Sequence, residues 1–233
     1  MSNDGRRAVV TGSSSGIGLA IARRLLNDGW RVTGFDLAPA ALMHPAFTAV
    51  AVDLCDGAAT ARASLAAADG DGVDALVHAA GVLRVAPLGA LDADAGRRMW
   101  QLHVDALARL ADVLVPRMRQ AGRGRVVLVG SRVARGMAGR SQYAATKAAL
   151  VALARSWAAE VVADGVTVNV VSPAATATAM LDDPARKTAA PRVPPIGRLI
   201  QPQEIAALVA YLLSTEAAAI TGQEIQICGG ASL

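Results

Sequence analysis

The sequence predicts an α/β fold, a single-domain doubly wound (Rossmann) parallel sheet of about seven strands with helices on both faces. Short apolar segments alternate with amphipathic helical patterns along nearly the whole chain. Several of the apolar segments, such as Val126 to Val129, have no polar face, which is typical of strands covered by helices on both sides. A glycine-rich turn joins the first strand directly to the first helix. We therefore treat residues 1–233 as one domain.

The predicted strands are short apolar runs bounded by glycine, proline or polar residues. They are Arg7–Thr11, Arg31–Phe35, Thr48–Val52, Ala75–His78, Arg125–Val129, Thr167–Val171 and Glu224–Cys228. The predicted helices are Ile17–Asn27, Ala58–Ala67, Ala95–Arg119, Ser141–Ala163 and Gln203–Leu213. Pro202 suits the first position of the last helix. The segment 173–202, rich in Pro and Ala, is too long for a simple connector, and we expect it to be a substrate lid.

Charge and composition exclude several classes of protein. The net charge of +4 comes from scattered basic residues, and no basic run is interleaved with aromatic residues, which argues against a nucleic-acid partner. No apolar stretch reaches bilayer length, and the N-terminus lacks the apolar region of a signal peptide. Cys55 and Cys228 have neither metal-ligand spacing nor histidine neighbours, so we expect reduced thiols and no metal site. These features predict a cytoplasmic protein that does not bind membranes.

The glycine-rich turn, Thr11 to Gly18, has the pattern of a dinucleotide-binding site. Glycine allows positive φ and lets a phosphate approach the backbone closely. The helix that follows offers free N–H groups and the positive end of its dipole to a pyrophosphate. Asp36 ends the second strand, where a carboxylate can bind both ribose hydroxyls and repel the extra phosphate of NADP. The expected cofactor is therefore NAD, with NADP disfavoured.

Three residues form a candidate proton-transfer site. Ser131 follows a buried strand, at the sheet edge where open parallel sheets bind their ligands. Tyr143 and Lys147 are four residues apart and project from one face of a long helix. A neighbouring ammonium favours the phenolate, so Tyr143 could move a proton to or from an alcohol oxygen that Ser131 holds by a hydrogen bond.

Together, Thr11 to Gly18, Ser131, and Tyr143 to Lys147 resemble the short-chain dehydrogenase/reductase family over essentially the whole chain. Within the family the chain most resembles the bacterial branch that includes the β-ketoacyl-acyl carrier protein reductases. The resemblance implies the catalytic residues Ser131, Tyr143 and Lys147. The cofactor-binding residues that we expect are Gly12, Ser14, Ser15, Gly16, Ile17, Gly18, Asp36, Asp53, Leu54, Ala80, Gly81, Tyr143, Lys147, Pro173, Thr176 and Thr178.

Some of these assignments come from the resemblance alone. Ser15 is neutral where NADP-preferring members often carry Arg or Lys, which again favours NAD. Asp53 and Leu54 resemble a pair that contacts adenine, although an acid that ends a strand can equally start a turn. Thr178 stands where the family binds the nicotinamide carboxamide.

Three positions depart from the family pattern. His103 stands in place of an Asn that holds a water in the proton relay to the lysine. A neutral imidazole could do the same, or His103 could simply pack against the sheet. His78 replaces an Asn that supports the cofactor ribose, and Ala174 replaces a Gly after Pro173.

The expected activity is NAD(H)-dependent interconversion of a secondary alcohol and a ketone on a small molecule that the sequence does not identify. One alternative is an NADPH-dependent 3-oxoacyl-acyl carrier protein reductase, which Asp36 opposes. Another is a non-catalytic dinucleotide sensor, which would not need Ser131, Tyr143 and Lys147. The long Ala- and Leu-rich helices Ala95–Arg119 and Ser141–Ala163, which form a four-helix subunit interface in the resembling family, predict a homotetramer or at least a dimer.

Overall fold

The computed structural model describes residues 5–70, 72–181 and 192–233, and its centre is a seven-stranded parallel sheet. The strands are β1 (Arg7–Thr11), β2 (Arg31–Asp36), β3 (Phe47–Ala51), β4 (Ala75–His78), β5 (Gly124–Val129), β6 (Val166–Pro173) and β7 (Glu224–Ile227). Their order across the sheet is β3-β2-β1-β4-β5-β6-β7. The predicted doubly wound fold is therefore confirmed, with strand ends shifted by at most two residues.

Helices cover both faces of this sheet. They are α1 (Gly16–Asn27), α2 (Gly57–Ala68), α3 (Ala93–Trp100), α4 (Ala106–Gln120), α5 (Ser141–Val161) and α6 (Pro202–Leu212). Because alternate side chains of a strand point to opposite faces, β5 places Val126 and Leu128 under α4 and α5, and Val127 and Val129 under α1 and α6. The unbroken apolar pattern of the central strands follows from these two layers of core.

The predicted helix Ala95–Arg119 is not one regular α-helix. It begins at Ala93, where the carboxylate of Asp92 accepts hydrogen bonds from the N–H groups of Asp94 and Ala95, and a π-helical turn at Gln101–Asp105 separates α3 from α4. A π turn replaces the i→i+4 hydrogen-bond pattern with i→i+5, and it has no simple apolar signature. His103 lies in this turn.

The predicted lid is described in part. Pro173 ends β6, Ala179–Leu181 form a 3-10 turn, and Pro202 starts α6. Thr176 and Ile200 pair in a short parallel bridge that joins the two ends of the segment. Residues 182–191 of the predicted lid lie outside the described residues. In the described part of the chain, no helix is both long enough and apolar enough to cross a membrane.

Candidate active site

A cleft of about 900 Å³ opens at the carboxyl ends of the central strands. The strand order reverses direction between β1 and β4, so the connections from these two strands leave on opposite sides of the sheet. The glycine-rich turn after β1 and residues Ala79 to Leu83 after β4 line the two sides of the gap. Topology therefore creates the cleft at the place where the sequence analysis put the cofactor.

The glycine-rich turn has the backbone geometry that a phosphate requires. Gly12 has a φ of +69°, and a Cβ at this position would lie 2.9 Å from the Cα of Ala80. A Cβ on Gly18 would lie 2.1 Å from the carbonyl oxygen of Gly12, so the turn packs against α1 with no room for a side chain. Ser15 precedes α1 in an extended conformation, and its side chain does not cap the helix. Gly16, Ile17 and Gly18, the first residues of α1, line the cleft, and the free N–H groups of a helix N-terminus can bind a pyrophosphate there.

Asp36 is held rigidly at the end of β2. Its Oδ2 accepts a hydrogen bond from the backbone N–H of Ser14, and its Oδ1 accepts one from the N–H of Ala38, both at 2.9 Å. The carboxylate is half-buried and lines the cleft. Each oxygen keeps a further lone pair, so the group can still accept hydrogen bonds from two ribose hydroxyls.

Asp53 and Leu54 line the same end of the cleft, after β3. The Oδ1 of Asp53 accepts a hydrogen bond from the N–H of Cys55 at 2.9 Å, which is the turn-forming role that an acid has after a strand. The two roles considered for Asp53 are therefore compatible, because the same side chain closes the turn and faces the cleft.

Ser131, Tyr143 and Lys147 meet on the opposite wall. Ser131 follows β5, and its Oγ accepts a hydrogen bond from the N–H of Val133 at 3.2 Å, which leaves its own proton to donate. Tyr143 and Lys147 lie on the first turns of α5 and are buried, with Nζ of Lys147 5.8 Å from the centroid of the Tyr143 ring. Nζ donates to the carbonyl oxygen of Val129 at 2.9 Å, and burial lowers the pKa of Lys147 to about 8.

His103 is buried behind this wall, and both of its ring nitrogens are engaged. Its Nε2 accepts a hydrogen bond from the N–H of Val82 at 3.0 Å, and its Nδ1 lies 2.8 Å from Oγ1 of Thr146. The Thr146 hydroxyl donates to the carbonyl oxygen of Tyr143, so Nδ1 must be the donor to Thr146. His103 is thus a neutral ring with its proton on Nδ1. Burial, followed by the positive charge of Lys147, holds the pKa of His103 well below its usual value.

His78 is the second buried histidine, and its proton is on the other nitrogen. Oγ1 of Thr11 accepts hydrogen bonds from the N–H groups of Ala79 and Ala80, so its hydroxyl must donate to Nδ1 of His78, 3.0 Å away. Nε2 then carries the ring proton. Burial, and next the charge of Lys147, lower the pKa of His78 to about 3. The ring links the carboxyl ends of β1 and β4 on either side of the cleft.

The cleft brings together nearly all of the predicted site residues. Those that line it are Gly12, Ser15, Gly16, Ile17, Gly18, Asp36, Asp53, Leu54, Ala80, Gly81, Ser131, Tyr143, Lys147, Pro173, Thr176 and Thr178. Two of the predicted site residues, His103 and Ser14, do not line the cleft. His103 is buried beneath its surface, and the hydroxyl of Ser14 donates to the carbonyl oxygen of Ala38. The N–H of Ser14 nevertheless supports Asp36.

The sequence analysis includes Thr11 only as part of the glycine-rich turn, and it assigns no role to Thr146 or to the arginines of the cleft. Thr11 and Thr146 fix the two histidines, and the sequence signals for these roles are that Thr11 begins the glycine-rich turn and that Thr146 directly precedes Lys147. Arg98, Arg132, Arg140 and Arg192 line the cleft from distant parts of the chain. Tertiary structure brings these arginines to one cleft from distant positions in the chain, so no local sequence pattern predicts that they line it.

In residues 5–70, 72–181 and 192–233 no group of His, Cys, Asp or Glu is arranged to hold a metal ion. Cys55 and Cys228 are free thiols. Burial and the charge of Asp53 raise the pKa of Cys55 above its ordinary value.

Comparisons with known proteins agree with this geometry. The sequence model of the family described as enoyl-(acyl carrier protein) reductase matches residues 12–232. The 3-oxoacyl-[acyl-carrier-protein] reductase of Vibrio cholerae is 36% identical over 99% of this chain and 98% of its own. The cis-4-hydroxycyclohexanecarboxylate dehydrogenase of Sinomonas cyclohexanicum is 37% identical over 97% of this chain and 96% of its own.

A relative with a different named activity matches equally fully. The 2,3-dihydro-2,3-dihydroxybenzoate dehydrogenase of Escherichia coli is 34% identical and covers 100% of this chain and 99% of its own. A solved structure of a short chain dehydrogenase/reductase family protein superposes with a TM-score of 0.91 at 33% identity, covering 100% of this chain and 99% of its own.

The fold and these relatives define the class of the protein, an oxidoreductase that works with a nicotinamide dinucleotide. The chain belongs to the short-chain dehydrogenase/reductase family, in the branch that includes the 3-oxoacyl-[acyl-carrier-protein] reductases.

Proposed function

We propose that this protein is an NAD(H)-dependent dehydrogenase that interconverts a secondary alcohol and a ketone, with Tyr143 as the acid/base. The observation that carries the proposal is the position of Ser131, Tyr143 and Lys147 on one wall of a cleft whose other end holds Asp36. The proton-transfer groups and the ribose-reading carboxylate thus face the same space.

The chain's own residues account for the movement of the proton. When bound, NAD accepts the hydride of the carbinol carbon, and NADH returns it in the opposite direction. Ser131 donates a hydrogen bond to the substrate oxygen, and Tyr143 takes the proton from that oxygen as the ketone forms. The ammonium of Lys147, buried 5.8 Å from the Tyr143 ring, favours the phenolate that accepts this proton.

Asp36 supports NAD over NADP. A phosphate on the adenosine ribose would place negative charge beside this carboxylate, and no basic side chain follows it directly in the segment Leu37 to Leu42. The NADPH-dependent 3-oxoacyl-acyl carrier protein reductase remains the second candidate, favoured by the Vibrio cholerae relative. A dinucleotide sensor is disfavoured because it has no use for Ser131, Tyr143 and Lys147 together.

The decisive experiment is a screen of secondary alcohols with NAD and with NADP, followed by the absorbance of the reduced nicotinamide. We expect turnover with NAD, abolition of turnover by Tyr143→Phe, and little change in NAD affinity, because the phenol oxygen moves the proton whereas the ring only packs. Tyr211→Phe, at a half-exposed position on α6, is the matched control and should keep full activity. Loss of NAD binding together with activity in Tyr143→Phe would indicate a structural role instead.

A further inference from the structure

Arg98 is a cation of the cleft that the proposed mechanism does not use. It lies on α3, and both Arg98 and Leu102, about one turn later, line the cleft. Asp94, which precedes Arg98 by one turn, forms its ion pair with the neighbouring Arg97. Because Arg98 is exposed, its flat guanidinium group is accessible to a ligand that enters the cleft.

Two contacts place this helical region beside the segment that follows β3. Leu102 packs against the core cluster that contains Leu54. Further along the chain, a Cβ on Gly57, the first residue of α2, would lie only 2.8 Å from Nε of Arg109 on α4. The segment 54–57 is therefore covered by the helices that follow β4.

The Cys55 thiol locates the Arg98 guanidinium more closely. Burial and the charge of Asp53 raise the pKa of Cys55, and the charge of Arg98 acts on it in the opposite direction. Charges separated by more than about 10 Å at the surface are largely screened, so Asp53 and Arg98 both lie near this thiol. Cys55 itself lines the cleft. A carboxylate and a guanidinium thus flank the same part of the cleft wall.

This part of the cleft is distant from the pyrophosphate site. The glycine-rich turn follows β1, whereas Asp53 and Cys55 follow β3, with β2 between the two strands. Two strand spacings correspond to about 10 Å. A dinucleotide that has its pyrophosphate at the turn and its ribose at Asp36 has its base beside Asp53 and Leu54. The group of the dinucleotide that is nearest to Arg98 is therefore adenine.

Resting on the proposed function, we propose that Arg98 is a cofactor-binding residue whose guanidinium stacks on the face of the adenine base. A guanidinium is planar and weakly hydrated, so it packs flat on an aromatic ring whose π electrons attract its charge. Asp53 has lone pairs left beyond its bond to the N–H of Cys55, and these can accept from the amino group at the edge of the base. The base is then held by its face and by its edge.

Calorimetry with NAD, and with ADP-ribose, which lacks the nicotinamide, measures this contact. Arg98→Ala should weaken the binding of both ligands about 5- to 30-fold, as the loss of a cation over an aromatic ring predicts. Arg97→Ala is the matched control, because Arg97 is the adjacent residue of α3, is exposed and does not line the cleft. If Arg98→Ala binds both ligands within about two-fold of the wild type, the proposal is wrong.

Two further substitutions separate stacking from charge. Arg98→Tyr keeps a flat surface and removes the charge, so it should bind ADP-ribose within about three-fold of the wild type. Arg98→Lys keeps the charge without the flat surface and should lose most of the affinity. Tight binding by Arg98→Lys together with weak binding by Arg98→Tyr would indicate that Arg98 pairs with a phosphate, and would overturn the stacking proposal.

Alkylation of Cys55 by iodoacetamide, followed by mass spectrometry of the Cys55 peptide, tests the geometry in the protein without cofactor. Because the charge of Arg98 favours the thiolate, Arg98→Ala should move the pH dependence of alkylation to higher pH, and Arg97→Ala should not. ADP-ribose should protect Cys55 in the wild type. An unchanged pH dependence in Arg98→Ala, or no protection of the wild type, would contradict the position assigned to Arg98.

Failure of the proposed function gives a different result from failure of the adenine contact. Absence of turnover with every alcohol, or tighter binding of NADP than of NAD, would count against an NAD-dependent dehydrogenase. The adenine contact is judged by ADP-ribose binding, which requires neither turnover nor a choice between the two cofactors. A wild-type protein that does not bind ADP-ribose would overturn it.

Discussion

The Nδ1 atom of His103 lies 2.8 Å from Oγ1 of Thr146, which directly precedes Lys147 on α5 and lies one helical turn after Tyr143. The Thr146 hydroxyl donates in turn to the carbonyl oxygen of Tyr143. On the other side of the His103 ring, Nε2 accepts a hydrogen bond from the N–H of Val82. One imidazole therefore joins the loop after β4 to the first turn of α5. A water in a proton relay would have to displace one of these two bonds.

We therefore expect His103 to position the site rather than to relay protons. In His103→Asn the shorter side chain can replace at most one of the two ring bonds, which leaves either the Val82 N–H or the Thr146 hydroxyl oxygen without its partner and costs about 1–3 kcal/mol of stability. The acid limb of its pH–rate profile should superimpose on that of the wild type, with rates within a few-fold. Thr146→Val should mimic the stability loss and Thr146→Ser should not. A displaced acid limb in His103→Asn would restore the relay role.

The strands of the sheet could be predicted from the sequence because each strand is specified by the apolar pattern of its own few residues. Val126 to Val129 are apolar on both faces whichever helices cover them, so the strand and its burial can be inferred without knowing its neighbours. The π turn at Gln101–Asp105 could not be inferred, since one extra residue per turn changes no local composition. The same limit applies to the site. Ser131, Tyr143 and Lys147 follow from spacing, whereas the bond from His103 to Thr146 spans 43 positions and exists only in the folded chain.

Asp36 should determine the choice of cofactor through its charge. In Asp36→Ala we expect NAD to bind about 10-fold more weakly, which corresponds to a loss of about 1.4 kcal/mol of binding free energy. We also expect NADP to bind more tightly than it does to the wild type, because the repelling carboxylate is gone. Asp36→Asn separates charge from hydrogen bonding, because the amide oxygen can still accept from Ser14 or Ala38 while the charge is gone. Calorimetry with both cofactors measures the effect, with Asp28→Asn at the far end of α1 as the control. Wild-type protein that binds NADP at least as tightly as NAD would show the charge argument to be wrong.

The outer face of α5 predicts association of subunits. Ala145, Ala148, Ala152 and Ala159 are exposed on this helix, and small side chains let two helices approach closely. We expect a homotetramer, or at least a dimer, in sedimentation experiments at micromolar concentration. Ala148→Arg should lower the mass of the assembly, whereas Ala66→Arg, at an exposed position of α2, should leave it unchanged. A wild-type protein that sediments only as a monomer would contradict the prediction.

The two buried histidines should make the apoprotein sensitive to mild acid. Burial holds the pKa of His78 at about 3 and that of His103 well below its usual value, whereas in the unfolded chain both titrate near their ordinary value of about 6.5. Below that pH the unfolded chain binds more protons than the folded chain, so the free energy of unfolding falls as the pH falls, by up to about 1.4 kcal/mol per pH unit for each histidine.

Urea unfolding between pH 6.5 and pH 5, a range of about one and a half units chosen to lie above the titration of most carboxylates, tests this directly. His78→Asn and His103→Asn should each flatten the dependence of stability on pH, even though both lower the stability at neutral pH. His44→Asn is the natural control, because His44 is the remaining histidine of the chain and its side chain is exposed before β3. If all three variants kept the wild-type slope, neither His78 nor His103 would be held neutral by burial, and the hydrogen-bond directions assigned to their rings would fail with it.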